Sequence, residues 1–345
     1  MDLRSVAARG SLVAVRRGAL AALGAFAVCA LFLLAAGQDP ARAAVVIVAG
    51  SLGSVDGLWE VITRSVPLCI IGLGLAIAFR ANVFNVGGDG QFLAGAALAF
   101  AVVQATGDAG PLAVVWLLLA GALGGALYGG IAGALRARFD ANEIIVTIML
   151  NYVAVQAVAW LVRGPLQETA RIMPRSDAVP ESARLIELAL GQSHAGIFLA
   201  LALALLLFFV VRNTVFGFQL DAVGENREAA EFGGIASARV IFLAMAASGG
   251  LCGLAGAVEV AGVFHRLEEN MAPGAGITGI AVALLARLHP LAIPFTALLF
   301  GILTVGAGAL QRDMGVPFPL LWIIEAMVII AFLLAGVRGR RARAA

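Results

Sequence analysis

Apolar runs of about 17 to 25 residues recur along this 345-residue chain, and they constrain its fold more than any other feature. Only a helix satisfies all its backbone hydrogen bonds within one segment, so runs of this length indicate membrane-spanning helices. A β-barrel would instead show short segments of alternating polarity. Because 61% of the residues are hydrophobic and 13% are charged, we predict an all-α polytopic membrane protein with a single transmembrane domain over residues 1–345.

The runs predict about ten spans, an even number that places both termini on the same side of the membrane. The predicted spans are residues 19–37, 58–79, 92–103, 111–135, 144–162, 195–211, 241–264, 277–288, 290–310 and 320–337. The first run is longer than the core of about 7–15 residues typical of a signal peptide, which favours an uncleaved span.

The distribution of arginine predicts the orientation. All 23 basic residues are arginines, and fifteen of them fall on the inner side if the termini are cytoplasmic. This bias agrees with the positive-inside rule, and the four tryptophans fall near outer span ends as an aromatic belt would. The sequence therefore predicts cytoplasmic termini, a cytoplasmic loop at 212–240 and an external loop at 163–194.

Two predicted spans, the third at 92–103 and the eighth at 277–288, are too short to cross a membrane. Twelve residues make a helix of about 18 Å, whereas the hydrocarbon core is about 30 Å thick. A glycine-rich polar stretch precedes each run, at 87–90 and 273–276. Non-helical backbone at membrane depth requires burial in protein or a wet cavity. We therefore expect spans 3 and 8 to be broken, at the centre of an inverted repeat of spans 2–5 and 7–10.

Polar residues close to the predicted breaks are candidates for a translocation path, because such side chains are expensive in lipid and often functional. The candidates are Asn82, Asn85, Asp89, Gln91 and Asn151. The alternative is that several of them lie at an interface. A second alternative is that Asp89, Glu259 or Glu325 forms the proton relay of a secondary transporter.

Two further patterns predict contacts. Glycines recur every four residues at 121, 125, 129 and 133, so another helix can approach that face closely.

The predicted cytoplasmic loop at 212–240 contains a short helix at about 226–233, with Asn226 as a helix cap and Gly233-Gly234 as a stop. A helix this short is marginal alone. We expect it to dock on a partner, the alternative being an ordinary connector.

The absence of lysine excludes a phosphate-binding loop of the usual form and covalent catalysis by lysine. The three cysteines lie inside apolar runs, the three histidines are isolated, and no metal-ligand spacing appears. No pair of catalytic carboxylates and no nucleophile constellation is recognisable. The sequence therefore predicts no catalytic residues, no metal site and no cofactor, which argues against a membrane-embedded enzyme.

Four segments resemble those of permease subunits of bacterial ABC importers, in the simple-sugar, nucleoside and branched-chain amino-acid permease family. Residues 79–92, FRANVFNVGGDGQF, resemble the FRAGxFNIGxEGQ segment, and residues 142–152, NEIIVTIMLNY, resemble NEVIxTIMLNY. Residues 224–235 resemble the GxNxxAAxxxGI loop, and residues 276–290 resemble GxxGIAVALLGRxxP. The four segments occur in the expected order and cover spans 2 to 9.

The resemblance implies ten helices, a dimer of permeases, two cytoplasmic ATPase subunits, an external solute-binding protein and location in the bacterial plasma (inner) membrane. ATP hydrolysis would then take place on a separate chain. The loop would couple to the ATPase through Gly224, Asn226, Ala229, Ala230, Gly234 and Ile235. The motifs look most like the nucleoside-type branch, usually a heterodimer of permeases. Departures at Gly88-Asp89 and Ala286 leave open a nucleoside, a simple sugar such as ribose, or a branched-chain amino acid.

Overall fold

The computed structural model describes residues 27–28, 30–34, 37–107, 110–188, 193–271 and 273–316, together with 323, 326 and 327. Its helices with described bounds are α1 (Pro40–Leu52), α2 (Val55–Arg80), α3 (Gly88–Thr106), α4 (Ala113–Phe139), α5 (Glu143–Arg163), α6 (Gly196–Asn213), α7 (Val215–Glu225), α8 (Arg227–Phe232), α9 (Ser237–Glu259), α10 (Ala275–Leu285) and α11 (Ile293–Met314). A π-helical segment, Val260–Phe264, continues α9. Two short antiparallel strands, β1 (Glu187–Leu188) and β2 (Ser193–His194), pair with Glu187 opposite His194.

Within the described residues, six helices are long and apolar enough to cross a membrane: α2, α4, α5, α6, α9 with its π segment, and α11. They correspond to the predicted spans 2, 4, 5, 6, 7 and 9. The all-helical membrane class is therefore confirmed. Spans 1 and 10 lie largely outside the described residues, so the count of ten stays a prediction.

The break before α3 lies earlier in the chain than the sequence predicted. The helix begins at Gly88, so Asp89 and Gly90 form its first turn, and the non-helical segment is 81–87. An acidic residue in the first turn favours this start, because it interacts well with the positive end of the helix dipole. At 19 residues α3 is longer than the predicted run, whereas α10 is short as predicted, with 11 residues.

Glycines bring α3, α4 and α9 into close contact at the centre of the fold. A Cβ atom on Gly125 would overlap the carbonyl oxygen of Gly249, and one on Gly129 would lie 2.7 Å from the carbonyl oxygen of Met245. On α3, a Cβ atom on Gly95 would overlap the backbone of Gly253. The predicted close-approach face of α4 is therefore confirmed, and its partner is α9.

The chain divides into two compact units, residues 62–301 and residues 1–61 with 302–345. In the second unit α1 packs on the end of α11, where Gly306 lies against Ile47. Asp39 caps α1 by accepting a hydrogen bond from the N–H of Ala41, and Pro40 follows as the first helical residue. The helix α1 has no counterpart among the predicted spans, because its 13 residues are too few to cross a membrane.

In the larger unit, α6 and α9 connect two polar regions that lie at their opposite ends. One region, the loop layer, comprises the described parts of 164–195 and residues 265–271. Its two segments are joined by backbone hydrogen bonds, from Ser176 N to Leu267 O at 2.9 Å and from Val179 N to His265 O at 2.7 Å. The other region, the corner, comprises α7 and α8. The loops predicted at 163–194 and 212–240 therefore lie at opposite ends of the same helices.

Candidate translocation site

An amide pair closes the interrupted segment 81–87 onto the first turn of α3. Asn85 Nδ2 donates to Gln91 Oε1 at 2.8 Å, and Gln91 Nε2 donates back to Asn85 Oδ1 at 3.0 Å. Asn85 Nδ2 also donates to Ser248 Oγ at 2.8 Å, and Asn85 Oδ1 accepts from Gly87 N at 2.9 Å. Because Ser248 lies eleven residues into α9, about 16 Å along it, this pair lies near mid-span.

The side chains of α5 hold the same segment from its other side. Asn151 Nδ2 donates to Val86 O at 2.9 Å, while Asn151 Oδ1 accepts from Gly90 N at 2.8 Å. Val86 N donates to Thr147 Oγ1 at 3.3 Å. A single asparagine thus satisfies one backbone acceptor in the break and one free N–H of a helix start, which are the groups that a broken span leaves without partners.

The starts of α3 and α10 meet at Asp89. Its Oδ1 accepts a 2.8 Å hydrogen bond from Gly276 N, in the first turn of α10. The backbones touch here, because a Cβ atom on Gly88 would lie 2.9 Å from Gly276 Cα. Two helix N-termini, each with a partial positive charge, therefore converge on one carboxylate. The arrangement leaves polar backbone at membrane depth, covered by protein.

The five predicted path residues divide into three groups by exposure. Asn85 and Gln91 are buried, with 0% and 2% of their surface exposed, whereas Asp89 and Asn151 are half-buried. Asn82 is exposed with φ 55°, and it follows the end of α2. Val83 N bonds to Ala78 O, as in a Schellman motif with Asn82 at the left-handed position. Asn82 therefore lies apart from the other four residues.

Sequence reasoning missed three residues of this site, namely Thr147, Ser248 and Gly276. Thr147 lies one helical turn from Asn151, and Gly276 directly precedes the second short apolar run. Their positions in the sequence could therefore have indicated that they belong to the site. Ser248 carried no signal except the small-residue face next to Gly249. Of the carboxylates in the alternative proton relay, Glu259 is buried beside the π segment, and Glu325 lies outside the described residues.

The corner contains the predicted short helix, α8. Asn226 caps it by accepting from Ala229 N at 3.0 Å. A Schellman motif ends it, with Gly234 at φ 83° and Ile235 N bonded to Ala230 O. Ala229 is exposed, but Ala230 is buried at 6% exposure, so it faces its own chain rather than a partner.

Two further residues of the corner differ in their surroundings. Gly224 packs on the end of α2, where a Cβ atom would overlap the carbonyl oxygen of Arg80. Phe232, which was not among the predicted contacts, is 93% exposed at the end of α8. The exposed surface of α8 therefore includes Ala229 and Phe232 but not Ala230.

The loop layer contains a buried histidine, His194, close to the half-buried His265. His194 is 1% exposed, and its Nδ1 accepts from Gly196 N at 3.2 Å. Burial lowers the pKa of His194 to about 4, and nearby His265 adds to this effect. Burial likewise lowers the pKa of His265. Across the described residues, no group of three or more His, Cys, Asp or Glu side chains could hold a metal ion.

This combination of membrane-spanning helices, an interrupted span and converging helix starts defines the class of the protein as a polytopic membrane transport protein. Residues 57–337 match the family described as "Branched-chain amino acid transport system / permease component". The match covers most of the chain, so the protein belongs to this family, and the family resemblance of its motifs is confirmed. It is a multi-pass permease of the inner membrane, and permease components are not themselves enzymes.

Similar proteins include permeases from archaea and bacteria. The chain is 35% identical to the glucose ABC transporter permease protein TsgB13 of Haloferax volcanii, over 90% of this chain and 85% of the relative. It is 33% identical to the guanosine ABC transporter permease protein NupP of Bacillus subtilis, over 87% and 88%. It is 29% identical to the nucleoside ABC transporter permease protein NupB of Lactococcus lactis, over 88% and 86%. The same three organisms each contribute a second, less similar permease, at 30%, 26% and 26% identity.

Proposed function

We propose that this chain is the membrane-spanning permease subunit of an ATP-driven importer, and that it translocates a nucleoside delivered by an external binding protein. The observation that carries the proposal is the family match over residues 57–337, together with relatives named as guanosine and nucleoside permeases. Family membership argues against a self-sufficient secondary transporter, because a permease component works within a transport system.

The translocation path passes the junction of α3 and α10. Of the four path residues at the junction, Asp89 and Asn151 have exposed surface, and each also holds backbone there. Asn85 and Gln91 are buried in mutual hydrogen bonds, so their part is to fix the interrupted segment. Carboxylate and amide groups suit a solute rich in hydroxyl and ring-nitrogen donors and acceptors.

The proposed topology has ten spans, cytoplasmic termini, a cytoplasmic corner and an external loop layer. The arginine bias supports this orientation, and the opposite placement of the corner and the loop layer agrees with it. An inverted repeat of spans 2–5 and 7–10 is supported by the junction itself, where the starts of α3 and α10 meet. In this arrangement α3 and α10 run from the junction towards opposite faces of the membrane.

The corner couples to a cytoplasmic ATPase, with Phe232 as the anchor of the contact. Aromatic side chains are enriched in the cores of protein–protein interfaces, and Phe232 is 93% exposed beside exposed Ala229. Replacing Phe232 with Ala should weaken co-purification of the ATPase about tenfold or more. The matched control is Phe218→Ala on α7, which truncates another exposed aromatic side chain of the corner. Equal retention of the ATPase by both variants would contradict this docking surface.

A second permease subunit covers the open face of α5. Tyr152 is 65% exposed, and Gln156 is also exposed, about 10 Å along the helix from Arg163. An amide facing lipid at this depth is expensive, so the face requires a protein neighbour. A groove of about 400 Å³ lined by Gln156, Trp160 and Arg163 opens on the same face.

The second subunit is a different permease chain. The pairs of permeases found in three organisms, each with one member closer to this chain, support a heterodimer. A photo-crosslinking amino acid at Gln156 should capture that subunit, whereas one at Leu201, an exposed apolar residue of α6, should not. Capture at both positions, or at neither, would contradict the assignment of this face.

The decisive experiment for the substrate is uptake into proteoliposomes that contain the complete importer. Labelled guanosine, ribose, glucose and leucine are offered in parallel, each with its binding protein. We expect ATP-dependent uptake of the nucleoside. Glucose is the second candidate, because the permease of Haloferax volcanii is named for it. Uptake of leucine alone would assign the chain to branched-chain amino-acid transport instead.

A further inference from the structure

We propose that Arg80 is a positioning residue that joins the ATPase-docking corner to both non-helical connections at the translocation site. It is the last residue of α2, directly before the interrupted segment 81–87. Its side chain is 19% exposed. The inference rests on the coupling role proposed for the corner, and it adds the contact through which movement of the corner reaches the site.

All three guanidinium nitrogens of Arg80 have partners in other elements. Nη1 donates to Asp221 on α7, at 2.9 Å to Oδ1 and 3.2 Å to Oδ2. Nε and Nη2 donate to the carbonyl oxygen of Leu288, at 3.3 Å and 3.1 Å. Leu288 lies three residues beyond the end of α10, and a cation close to the negative end of a helix is favourable. A lysine could not make these three contacts, because it is a point charge rather than a planar fork.

The backbone of Arg80 is held by the same helix as its side chain. Gly224 on α7 packs on the Arg80 carbonyl oxygen so closely that a Cβ atom would overlap it. Asp221 lies three residues earlier, so the two contacts are on one face of α7. A shift of α7 therefore displaces the end of α2 and the start of segment 81–87 together.

Two arms of similar length connect Arg80 to the Asp89–Gly276 junction. One is the non-helical segment 83–87, whose five residues span at most about 16 Å. The other is α10, whose 11 residues measure about 16 Å. The arms are joined at one end by the Arg80–Leu288 hydrogen bonds and at the other by the Asp89–Gly276 hydrogen bond. Movement passed to Arg80 thus reaches both helix starts.

A second set of contacts leads from α8 to the same segment, but it is longer. Arg227 lies 3.5 Å from Asp140, which pairs with Arg136 at 3.0 Å. Arg136 lies 3.3 Å from Glu143, whose Oε1 accepts from Phe84 N at 3.3 Å. Four contacts in series, two of them through well-exposed Asp140, transmit less than one short contact.

The test removes one charge at a time from α7 in the reconstituted importer. Asp221→Asn removes the ionic partner of Arg80, and the control Glu225→Gln removes an exposed charge one turn away with no described ion pair. We expect the solute transported per ATP hydrolysed to fall about tenfold in Asp221→Asn. Basal ATP hydrolysis and subunit assembly should stay unchanged. Glu225→Gln should keep the normal ratio of solute transported to ATP hydrolysed. Asp221→Glu, which retains the negative charge, should also keep it.

The substitution Arg80→Lys tests the other side of the contact and should also lower the ratio. A normal ratio in both Asp221→Asn and Arg80→Lys would overturn the proposal. If Phe232→Ala uncouples the importer while these two variants do not, the Arg80 proposal fails and the docking surface stands. If the two variants uncouple while Phe232→Ala does not, the docking surface fails and the Arg80 contact stands.

Discussion

Asp89 Oδ1 lies 2.8 Å from the backbone nitrogen of Gly276, and this hydrogen bond joins the first turns of two helices that are 187 residues apart in sequence. The contact places a carboxylate where two helix dipoles converge. It also makes Asp89 the shared element of the interrupted segment and of α10. The stability of the junction and the passage of solute are therefore expected to depend on this side chain.

Two substitutions of Asp89 distinguish the effect of its charge from the effect of its hydrogen bond. Asp89→Asn keeps an acceptor oxygen for Gly276 but removes the charge, whereas Asp89→Ala removes both. A hydrogen bond to a charged group contributes about 1.5–3 kcal/mol, so Asp89→Ala should lower the thermal stability of the purified complex more than Asp89→Asn. Both should slow uptake. Wild-type stability and uptake in Asp89→Ala would contradict this role.

The buried amide pair predicts a loss of stability. Asn85→Ala leaves polar atoms of Gln91 and Ser248 buried without partners, at about 1–3 kcal/mol for each unsatisfied group. The free energy of unfolding in mild detergent should fall accordingly. Thr106→Ala is the control, since its hydroxyl bonds only within its own helix at an exposed position. An equal, small effect of both changes would show that the pair is dispensable.

The contact between α4 and α9 predicts different effects of two neighbouring glycines. A Cβ atom at Gly125 would overlap Gly249, so Gly125→Ala should overpack the contact by about 1–3 kcal/mol or more. At Gly130 a Cβ atom would meet its nearest neighbour at 3.6 Å, an ordinary contact. Gly130→Ala should therefore be neutral or slightly stabilising. Monodispersity and thermal unfolding of the two variants provide the comparison, and equal behaviour would refute the close approach.

The buried side chain of His194 predicts acid sensitivity of the loop layer. His194 has a pKa of about 4 in the fold and 6.5 when unperturbed, so the unfolded state binds more protons between these values. The contribution of neutral His194 to the free energy of unfolding is retained above pH 6.5 and is lost as the pH falls towards 4. The free energy of unfolding should fall by roughly 2 kcal/mol between pH 6.5 and pH 5. His194→Gln should remove part of this decline in thermal unfolding scans. His289→Gln, which changes an exposed histidine at the end of α10, should not.

Thiol labelling tests the orientation. Ser176 and Ser237 are buried, at 0% and 1% exposure, so cysteines there would report burial rather than sidedness. Ala170 in the loop layer and Ala236 next to the corner are exposed. In a cysteine-free protein, an impermeant reagent on intact cells should label Ala170→Cys and spare Ala236→Cys. The reverse pattern would invert the topology.

The sequence determined the class of the fold and the position of several local structures. Hydrophobic run length sets the helices because lipid offers backbone groups no partner, and six predicted spans correspond to membrane-length helices. Local chemistry likewise specified α8, since Asn226 and Gly234 act through hydrogen bonds and dihedral angles only a few residues away. The family motifs are local strings as well, and they identified the permease class that the family match confirms.

Only the tertiary structure decided which side chains are buried and which distant residues contact each other. Periodicity did not reveal that Ala230 is buried while Phe232 is exposed, because both positions are compatible with the same short helix. The break before α3 moved to 81–87 because Asn151, Thr147 and Glu143 of α5, distant in sequence, hydrogen-bond its backbone. The contacts of Arg80 with Asp221 and Leu288 bridge 141 and 208 residues. Such pairings depend on how helices pack in three dimensions, and one sequence records only the residues that allow them.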